Sequence, residues 1–231
     1  MSYQRDYTDE EVEKIKLDIV AVCRVLNQKN MLAAADGNVS FRLSDDRILI
    51  TPTAINKAFM SPEEIATINI RGDILSGHPS GERLMHLEVF KRCPQARCIV
   101  HAHPPTAIAW SLARPHLTEL PFECLPEVIL AVGRMPIIPY ARPGTVEMGT
   151  HLSHVLPKYR VMILARHGGL SWGESLSEAY NGMERLEHSA LILKNATELA
   201  SMNTISHLPA LPEAEIRALQ KMRDQSSGRT L

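Results

Sequence analysis

Residues 99–105 read Ile-Val-His-Ala-His-Pro-Pro, and the interpretation of the whole chain starts from this stretch. The apolar run from Cys98 to Ala102 is typical of a short buried strand, and the two prolines end it. Because residues i and i+2 of a strand point to the same face, His101 and His103 present both imidazoles on one side. The pair could ligate a metal, but two partly exposed histidines at a strand end would give the same triplet.

A third histidine follows a second apolar strand. The segment 161–164 reads as a buried strand, and His167 comes shortly after it, before Gly168-Gly169, which we expect to form a turn. Two strands would then end at one place and bring three imidazoles together. Three protein ligands leave one or two positions of a zinc-like ion open to substrate, as in catalytic rather than structural sites.

A carboxylate that could act as a base beside such an ion stands at the start of a predicted helix. Glu82 follows the turn at 79–81 and begins a helix that we expect to reach Arg92. The alternative is a first-turn glutamate that only favours the helix dipole. His86 lies four residues on, hence on the same helical face, and either orients Glu82 or fills space.

Two other pairs of side chains could coordinate a metal. His151 and His154 have i, i+3 spacing on one predicted helix, and Glu184 and His188 have i, i+4 spacing on another. Neither pair has an obvious third ligand, so surface or packing roles are favoured for all four residues.

The order of predicted elements indicates an α/β fold. Strands interleave with helices and some strands pair in hairpins, which predicts a mixed sheet covered by helices. Strands are predicted at 39–43, 47–51, 65–70, 98–102, 136–140 and 161–164, and helices at about 8–29, 82–92, 104–114, 144–156, 175–199 and 212–225. Because no repeat or long linker divides the chain, we predict one domain over 1–231, with a core over about 8–202 and a C-terminal helix over about 212–225.

Composition limits the classes of function. The chain has 231 residues, 45% of them hydrophobic, and a formal net charge of −1, without the basic excess that nucleic acid would require. Nowhere do about 18 apolar residues run together, and the charged first residues lack the apolar segment of a signal peptide. We therefore expect a cytoplasmic protein that binds a small molecule, and neither nucleic acid nor a membrane.

Five motifs together resemble the class II aldolase/adducin family. In order they are Gly37-Asn38-Val39-Ser40, Thr51-Pro52-Thr53, Pro79-Ser80-Gly81-Glu82, His101-Ala102-His103-Pro104 and Arg166-His167-Gly168. Each motif is weak alone, but the set occurs in family order across most of the chain. The resemblance implies a single-domain class II aldolase-like fold, with a mixed, mainly antiparallel central sheet between helical layers.

The resemblance also implies a metal site. It assigns a divalent metal, usually Zn²⁺ with Mn²⁺ or Co²⁺ possible, to His101, His103 and His167, and it assigns the acid/base role to Glu82. Burial is expected to move the pKa of Glu82 toward neutrality. Family members are commonly tetramers, so a homotetramer with active sites between subunits is expected.

The motifs that would contact the substrate's phosphate differ from those of the aldolases. Asn38, Thr53 and Ser80 match positions that help to hold the substrate's phosphate in the aldolases. However, Ala54 stands where the sugar-phosphate aldolases have glycine, and Gly81 stands where they have a second serine. Two phosphate contacts are therefore expected to differ.

A tyrosine of the aldolases is also missing. The tyrosine that protonates the alkoxide, contributed by a neighbouring subunit, should fall near Leu125, but the segment 122–127 contains no tyrosine and neither does the C-terminal tail. Glu127 could supply an alternative acid, and a surface or capping carboxylate is the other interpretation.

These observations predict a metal-dependent lyase that cleaves or forms a C–C bond next to a carbonyl in a small hydroxy-carbonyl or sugar-phosphate substrate. The intermediate would be a metal-stabilised enediolate. Aldol cleavage is the first prediction, and decarboxylation of a small carboxylic acid at the same site is the second. A sugar-phosphate epimerase ranks third, because that branch carries Asp where this chain has Glu82. A non-catalytic adducin-like interaction domain is the remaining alternative. It is disfavoured because such a domain has no physical need for an open metal site.

Overall fold

One eight-stranded sheet organises the part of the chain that the computed structural model describes, residues 6–202 and 208–225. Its strands are β1 (Asn38–Arg42), β2 (Ile48–Ile50), β3 (Ala66–Ile68), β4 (Ile74–Ser76), β5 (Cys98–Ala102), β6 (Ile137–Ile138), β7 (Val161–Leu164) and β8 (Gly168–Gly173). Across the sheet they lie in the order β4-β3-β2-β1-β5-β8-β7-β6. All neighbours are antiparallel except β6 and β7, which are parallel.

Helices cover both faces of the sheet. They are α1 (Asp9–Gln28), α2 (Arg83–Arg92), α3 (Pro105–Ala113), α4 (Pro126–Ala131), α5 (Val146–Ser153), α6 (Leu176–Met202) and α7 (Glu213–Gln225). Residues of α2 and α5 pack into one apolar core, and residues of the other five helices pack into a second core on the opposite face. None of the described helices is long and apolar enough to cross a membrane. The predicted fold class, a mixed and mainly antiparallel sheet between helical layers, is confirmed.

Side-chain alternation in the central strands decides which residues reach the site. In β5, Val100 and Ala102 pack into the core shared with α1 and α6, whereas Ile99 packs into the core shared with α2 and α5. Because alternate residues of a strand share a face, His101 points to the α2 side as Ile99 does. On the neighbouring strand β1, Asn38 lies directly opposite His101.

Helix α1 shows how local sequence fixes an element boundary. Thr8 accepts a hydrogen bond from the amide of Glu11, and the Glu11 carboxylate accepts one from the amide of Thr8. This capping box satisfies two donors that the first helical turn would otherwise leave unpaired. The helix therefore begins at Asp9, as predicted.

Most predicted elements occur, with shifts of a few residues at their ends. Strands β4 and β8 and helix α4 are not in the sequence-based assignment. β4 is a three-residue exposed edge strand, and α4 has only six residues, so neither leaves a periodic signal of useful length. β8 is buried along its whole length, so it lacks the alternation that marks a half-exposed strand.

The predicted turn at Gly168-Gly169 is wrong. The chain turns at residues 165–167, where Arg166 has φ of +63°, and Gly168 already belongs to β8. A Cβ added to Gly168 would lie 2.5 Å from the carbonyl oxygen of Ala102 and 2.7 Å from Cε1 of His101. Glycine is therefore required here because the backbone passes close to an imidazole, not because the backbone turns.

Candidate active site

The three predicted histidines meet at one rim of the sheet. His101 lies in β5, His103 follows that strand, and His167 ends the tight turn between β7 and β8. Their ring centroids are 4.8 to 5.3 Å apart, and Nε2 of His101 lies 3.3 Å from Nε2 of His103. Over residues 6–202 and 208–225, this is the one group of three potential ligands whose donor atoms all lie within 4.8 Å of one another.

Glu82 extends into the same cluster from the residue that precedes α2. Its Oε2 lies 3.3 Å from Nε2 of His101, and its Oε1 lies 3.1 Å from Nε2 of His167. Two ligands of a tetrahedral zinc site, each about 2.0–2.1 Å from the ion, would be about 3.3–3.4 Å from one another. The distance between His101 and His103 fits this spacing, and the donor atoms of all three histidines lie within 4.8 Å of one another, so the histidines could hold a divalent ion with Glu82 beside it.

The other ring nitrogens of two of these histidines have partners that fix the rings. The Nδ1–H of His101 donates to the carbonyl oxygen of Gly169 at 2.8 Å, and Nδ1 of His103 lies 3.4 Å from a carboxylate oxygen of Asp36. Such outer contacts orient the rings so that the Nε2 atoms face the shared centre, as in most histidine metal sites. Nδ1 of His167 is buried and has no hydrogen-bond partner among the described residues.

The pKa values of the cluster depend on the balance between burial and neighbouring charge. Burial alone would raise the pKa of Glu82, but hydrogen bonds and charge from His101 and His167 hold it well below the usual range. The expectation of a near-neutral Glu82 is therefore wrong for the side chain in this position. Burial, with His101 and His167 nearby, lowers the pKa of His103 to about 4, which favours the neutral, metal-binding form of its imidazole.

Asn38, for which the resemblance implies a phosphate contact, lies at the start of β1 and contacts Glu82. Its amide nitrogen donates to Oε2 of Glu82 at 2.9 Å, and its amide oxygen accepts from Nε2 of His86. Nδ1 of His86 in turn accepts from the hydroxyl of Ser40 at 2.7 Å. His86 is completely buried, and burial lowers its pKa to about 3, so the imidazole is neutral near pH 7.

Ser40 is absent from the predicted site, and the possible link between His86 and Glu82 was left open. One signal could have found both. Asn38 and Ser40 alternate along a strand, so they share a face, and Glu82 and His86 are one helical turn apart. A strand face and a helix face that both carry polar residues indicate contact between them.

The two predicted phosphate-contacting loops lie side by side. Pro52 and Pro79 form an antiparallel bridge, and the amide of Thr53 donates to the carbonyl oxygen of His78 at 2.9 Å. Ser80 is buried, and its hydroxyl accepts from the amide of Glu82 at 3.2 Å. The loops carrying Thr53 and Ser80 therefore adjoin the cluster of imidazoles through Glu82.

The two loop positions expected to differ from the aldolases have different local environments. Ala54 has φ of +56°, the left-handed conformation that glycine adopts most easily, so the loop path does not require glycine. A Cβ at Gly81 would meet nothing within 4 Å, so the space beside it is open.

A buried lysine joins these loops to the turn before β1. The ammonium group of Lys57 donates to the carbonyl oxygens of Ala35 and Ile55 at 2.9 and 2.7 Å. Burial lowers its pKa, partly offset by Cys23 and Asp36. The sequence analysis missed this residue, because a lone lysine in a loop has no periodic signal.

The competing pairs do not acquire a third ligand within the described residues. His151 lies 3.8 Å from the carboxylate of Glu147 on its own helix. Glu184 pairs with the ammonium group of Lys29 at 2.8 Å. Glu127, the alternative acid, is exposed in the first turn of α4.

The structure combines a mixed α/β fold with a cluster of three histidines at one rim of the sheet, and comparison with known proteins identifies the family. Residues 17–193 match the family described as Class II Aldolase and Adducin N-terminal domain. The chain therefore belongs to the class II aldolase/adducin family, and the resemblance inferred from the five motifs is confirmed.

Several members of the family are similar to this chain over most of its length. The 3-oxo-tetronate 4-phosphate decarboxylase of Escherichia coli K12 is 31% identical over 189 residues, 78% of this chain and 86% of that protein. The L-fuculose phosphate aldolase of Methanococcus vannielii is 31% identical over 173 residues, 75% of this chain and 92% of that protein. Among solved structures, YgbL from Escherichia coli has a TM-score of 0.80 at 27% identity, covering 90% of this chain and 99% of its own.

Proposed function

We propose that this protein is a metal-dependent lyase that decarboxylates a small, phosphorylated 3-oxo acid. The observation that carries the proposal is the cluster of His101, His103 and His167, whose donor atoms lie within 4.8 Å of one another, with the Glu82 carboxylate 3.3 and 3.1 Å from His101 and His167. When bound, a divalent ion supplies Lewis-acid stabilisation of negative charge on the substrate's oxygens. Similarity to the decarboxylases and aldolases above supports the class of reaction.

Decarboxylation and aldol cleavage share one intermediate. In 3-oxo-tetronate 4-phosphate, the bond between the carboxylate carbon and C2 breaks, and its electron pair forms an enediolate between C2 and C3. One proton then adds to C2, giving CO₂ and dihydroxyacetone phosphate. Retro-aldol cleavage of L-fuculose 1-phosphate leaves the same enediolate with an aldehyde as the other product. The residues that stabilise the enediolate therefore do not select the bond that breaks.

The side chains available for proton transfer favour decarboxylation over the aldol reaction. Aldol chemistry also needs a group that exchanges a proton with the oxygen that becomes the aldehyde, whereas CO₂ leaves without such an exchange. The segment 122–127 has no tyrosine for this purpose, and no tyrosine follows Tyr180. The predicted order, aldol cleavage first, is therefore reversed in this proposal, and aldol cleavage remains the second candidate.

Glu82 is proposed as the group that delivers the proton to C2. It starts as a carboxylate, because the imidazoles of His101 and His167 lower its pKa. An enediolate beside it adds negative charge, which raises the proton affinity of a carboxylate. Glu82 then takes a proton from solvent and transfers it to carbon, as a general acid.

Binding of the phosphate is proposed for the adjoining loops, through Thr53, Ser80 and the neighbouring amides. A homotetramer with sites between subunits stays a prediction, which light scattering of the purified protein would test. We predict a mass corresponding to four chains.

The reaction is tested by supplying both substrates to the purified, metal-loaded protein. CO₂ release from 3-oxo-tetronate 4-phosphate, with dihydroxyacetone phosphate as co-product, is the expected result. Aldehyde release from L-fuculose 1-phosphate without CO₂ release would assign the aldol reaction instead. Protein stripped of metal by a chelator is the control, and turnover that persists in it would overturn the metal-dependent proposal.

A further inference from the structure

On the side of β1 that faces α2, alternate residues are separated by nearly the same distance as residues one turn apart in α2. Asn38, Ser40 and Arg42 alternate along β1, two residues apart, which corresponds to about 6.8 Å along an antiparallel strand. Glu82 and His86 are one helical turn apart, about 6 Å along a helix. The two repeats nearly coincide, so polar groups on the strand meet polar groups on the helix at successive turns.

The direction of each hydrogen bond along this contact is fixed by the amide of Asn38. Its nitrogen can only donate, and it bonds Oε2 of Glu82 at 2.9 Å, so its oxygen must accept from Nε2 of His86. His86 therefore carries its proton on Nε2 when neutral, which leaves Nδ1 as an acceptor for the Ser40 hydroxyl at 2.7 Å. Three bonds thus run in one direction, from Ser40 to the carboxylate of Glu82.

We propose that Ser40, His86 and Asn38 are positioning residues that hold the Glu82 carboxylate toward the histidine cluster and present one oxygen to the reacting carbon. The proposal rests on the proposed acid/base role of Glu82. Asn38 occupies one oxygen of the carboxylate with a directed N–H, and His86 prevents the Asn38 amide from flipping. Ser40 keeps the proton of His86 on Nε2.

Packing alone does not account for this chain of groups. Asn38, Ser40 and His86 are 2%, 0% and 0% exposed, between strands and helices whose other side chains form an apolar core. Replacing bonded polar partners by apolar groups of the same shape is close to neutral for stability. We infer that these buried hydrogen bonds fix the geometry of the side chains rather than add stability. The chain of hydrogen bonds ends at the carboxylate of Glu82.

Two substitutions of His86 distinguish the effect of its hydrogen-bond donor from the effect of its side-chain volume. His86→Met removes the donor but keeps an apolar side chain of similar size, whereas the amide nitrogen of His86→Gln can stand near the position of Nε2. We expect His86→Met to lower kcat for CO₂ release about 10–100-fold, with KM and bound metal unchanged. His86→Gln should recover most of that loss. If His86→Gln were no better than His86→Met in a folded, metal-loaded protein, the donor role would be refuted.

Serine variants provide a matched pair. Ser40→Ala removes one hydrogen bond of the chain and should lower kcat about 2–10-fold. Ser171 is equally buried on the nearby strand β8, but its hydroxyl has no partner among the described residues, so Ser171→Ala should leave kcat unchanged. Equal losses in both variants would point to general damage and would contradict the proposal.

A double substitution distinguishes positioning from structural damage. In a Glu82→Gln background, His86→Met should reduce the residual kcat no further, because the group it orients is gone. An additive loss would overturn the proposal. A wild-type protein inactive toward both substrates would refute the proposed function instead, and the hydrogen-bond chain would still be testable in that case.

The test that needs no activity is the protonation of His86 in the wild-type protein. Nitrogen-15 chemical shifts distinguish a protonated from an unprotonated ring nitrogen, and His86→Gln identifies the resonance by its disappearance. We expect Nε2 to carry the proton at neutral pH. A neutral His86 protonated on Nδ1 would reverse the deduced direction and refute the proposal, whatever the substrate.

Discussion

The site has two regions that differ in how they are built. The rim, defined as His101, His103 and His167 with Glu82, is held by strand ends, by the start of α2 and by hydrogen bonds from buried groups. The anion loops, defined as residues 51–54 and 78–81, are joined by a bridge between Pro52 and Pro79, and the resemblance implies that their side chains differ from those of the sugar-phosphate aldolases at Ala54 and Gly81. The rim carries the residues that the resemblance assigns to the reaction, and the loops carry the positions where this chain is expected to depart from the aldolases.

The two regions differ in how closely their backbone is packed against neighbouring residues. A Cβ added to Gly168 would clash with the carbonyl oxygen of Ala102 and the imidazole of His101, so a small change at the rim would displace one of the clustered histidines. In the loops, Gly81 faces open space and does not have positive φ, so a side chain can be added there without moving the backbone. We therefore expect substitutions at the rim to abolish the reaction and substitutions in the loops to adjust affinity.

The largest effect is expected from the rim ligand without an outer hydrogen bond. His167→Ala should lose most of the bound metal and lower kcat/KM by about 10³-fold or more, because Lewis-acid stabilisation is worth several kcal/mol. Metal analysis by mass spectrometry, together with the CO₂ assay, measures both. His154→Ala, which removes an exposed histidine of the competing pair, is the control and should retain both. Full metal content in His167→Ala would exclude His167 from the site.

Glu82→Gln should give the next largest effect. The amide preserves shape but cannot carry the proton to C2, so kcat should fall by at least about 10²-fold while the histidines still bind metal. Glu88→Gln on the same helix removes only a surface ion pair with Arg92 at 2.7 Å, and it should behave as wild type. Retention of full turnover by Glu82→Gln would show that another group delivers the proton.

The sequence predicted that the three histidines would meet, but not the contacts that support them. Strand alternation places His101 and His103 on one face, and a second apolar strand ends near His167, so local patterns alone bring the ligands together. The link from His86 to Asn38 joins residues 48 positions apart in the chain. Local patterns mark the polar faces of β1 and α2, but the pairing of particular residues depends on where the two elements cross.

Two errors in the sequence analysis have a common physical origin. The glycines after His167 were predicted to form a turn, but Gly168 is required by the distance to a neighbouring strand. The pKa of Glu82 was predicted to rise because burial was considered without the opposing effect of His101 and His167. Both quantities depend on neighbours that are distant in sequence, so they become visible only in the folded chain.

The stability of the metal-free protein should show the cost of burying the His86 imidazole beside the rim. Its pKa is about 3 when folded and about 6.5 when unfolded, so the unfolded state binds more protons between these values. Stability therefore falls as pH decreases through this window. Between pH 7.5 and 5, wild type should lose about 2 kcal/mol more unfolding free energy than His86→Gln, which lacks the titrating group.

Urea denaturation of both chelator-treated proteins at the two pH values measures this difference. The other histidines are common to both proteins, so their contributions cancel in the comparison. Equal losses in wild type and His86→Gln would mean that the His86 imidazole does not have a depressed pKa in the folded protein.

The smallest effect is expected in the anion loops, and it decides whether they bind phosphate. Gly81→Ser adds a hydroxyl in open space at the position where the sugar-phosphate aldolases have serine, without strain because Gly81 does not have positive φ. One additional hydrogen bond should strengthen competitive inhibition by inorganic phosphate about 2–10-fold, with kcat unchanged. Gly149→Ser on α5 is the matched control, since its Cβ would make only ordinary contacts, at 3.7 Å from Glu88. Identical phosphate inhibition in Gly81→Ser and wild type would mean that the anion binds elsewhere. The assignment of the reaction to the rim and of phosphate binding to the loops would then be wrong.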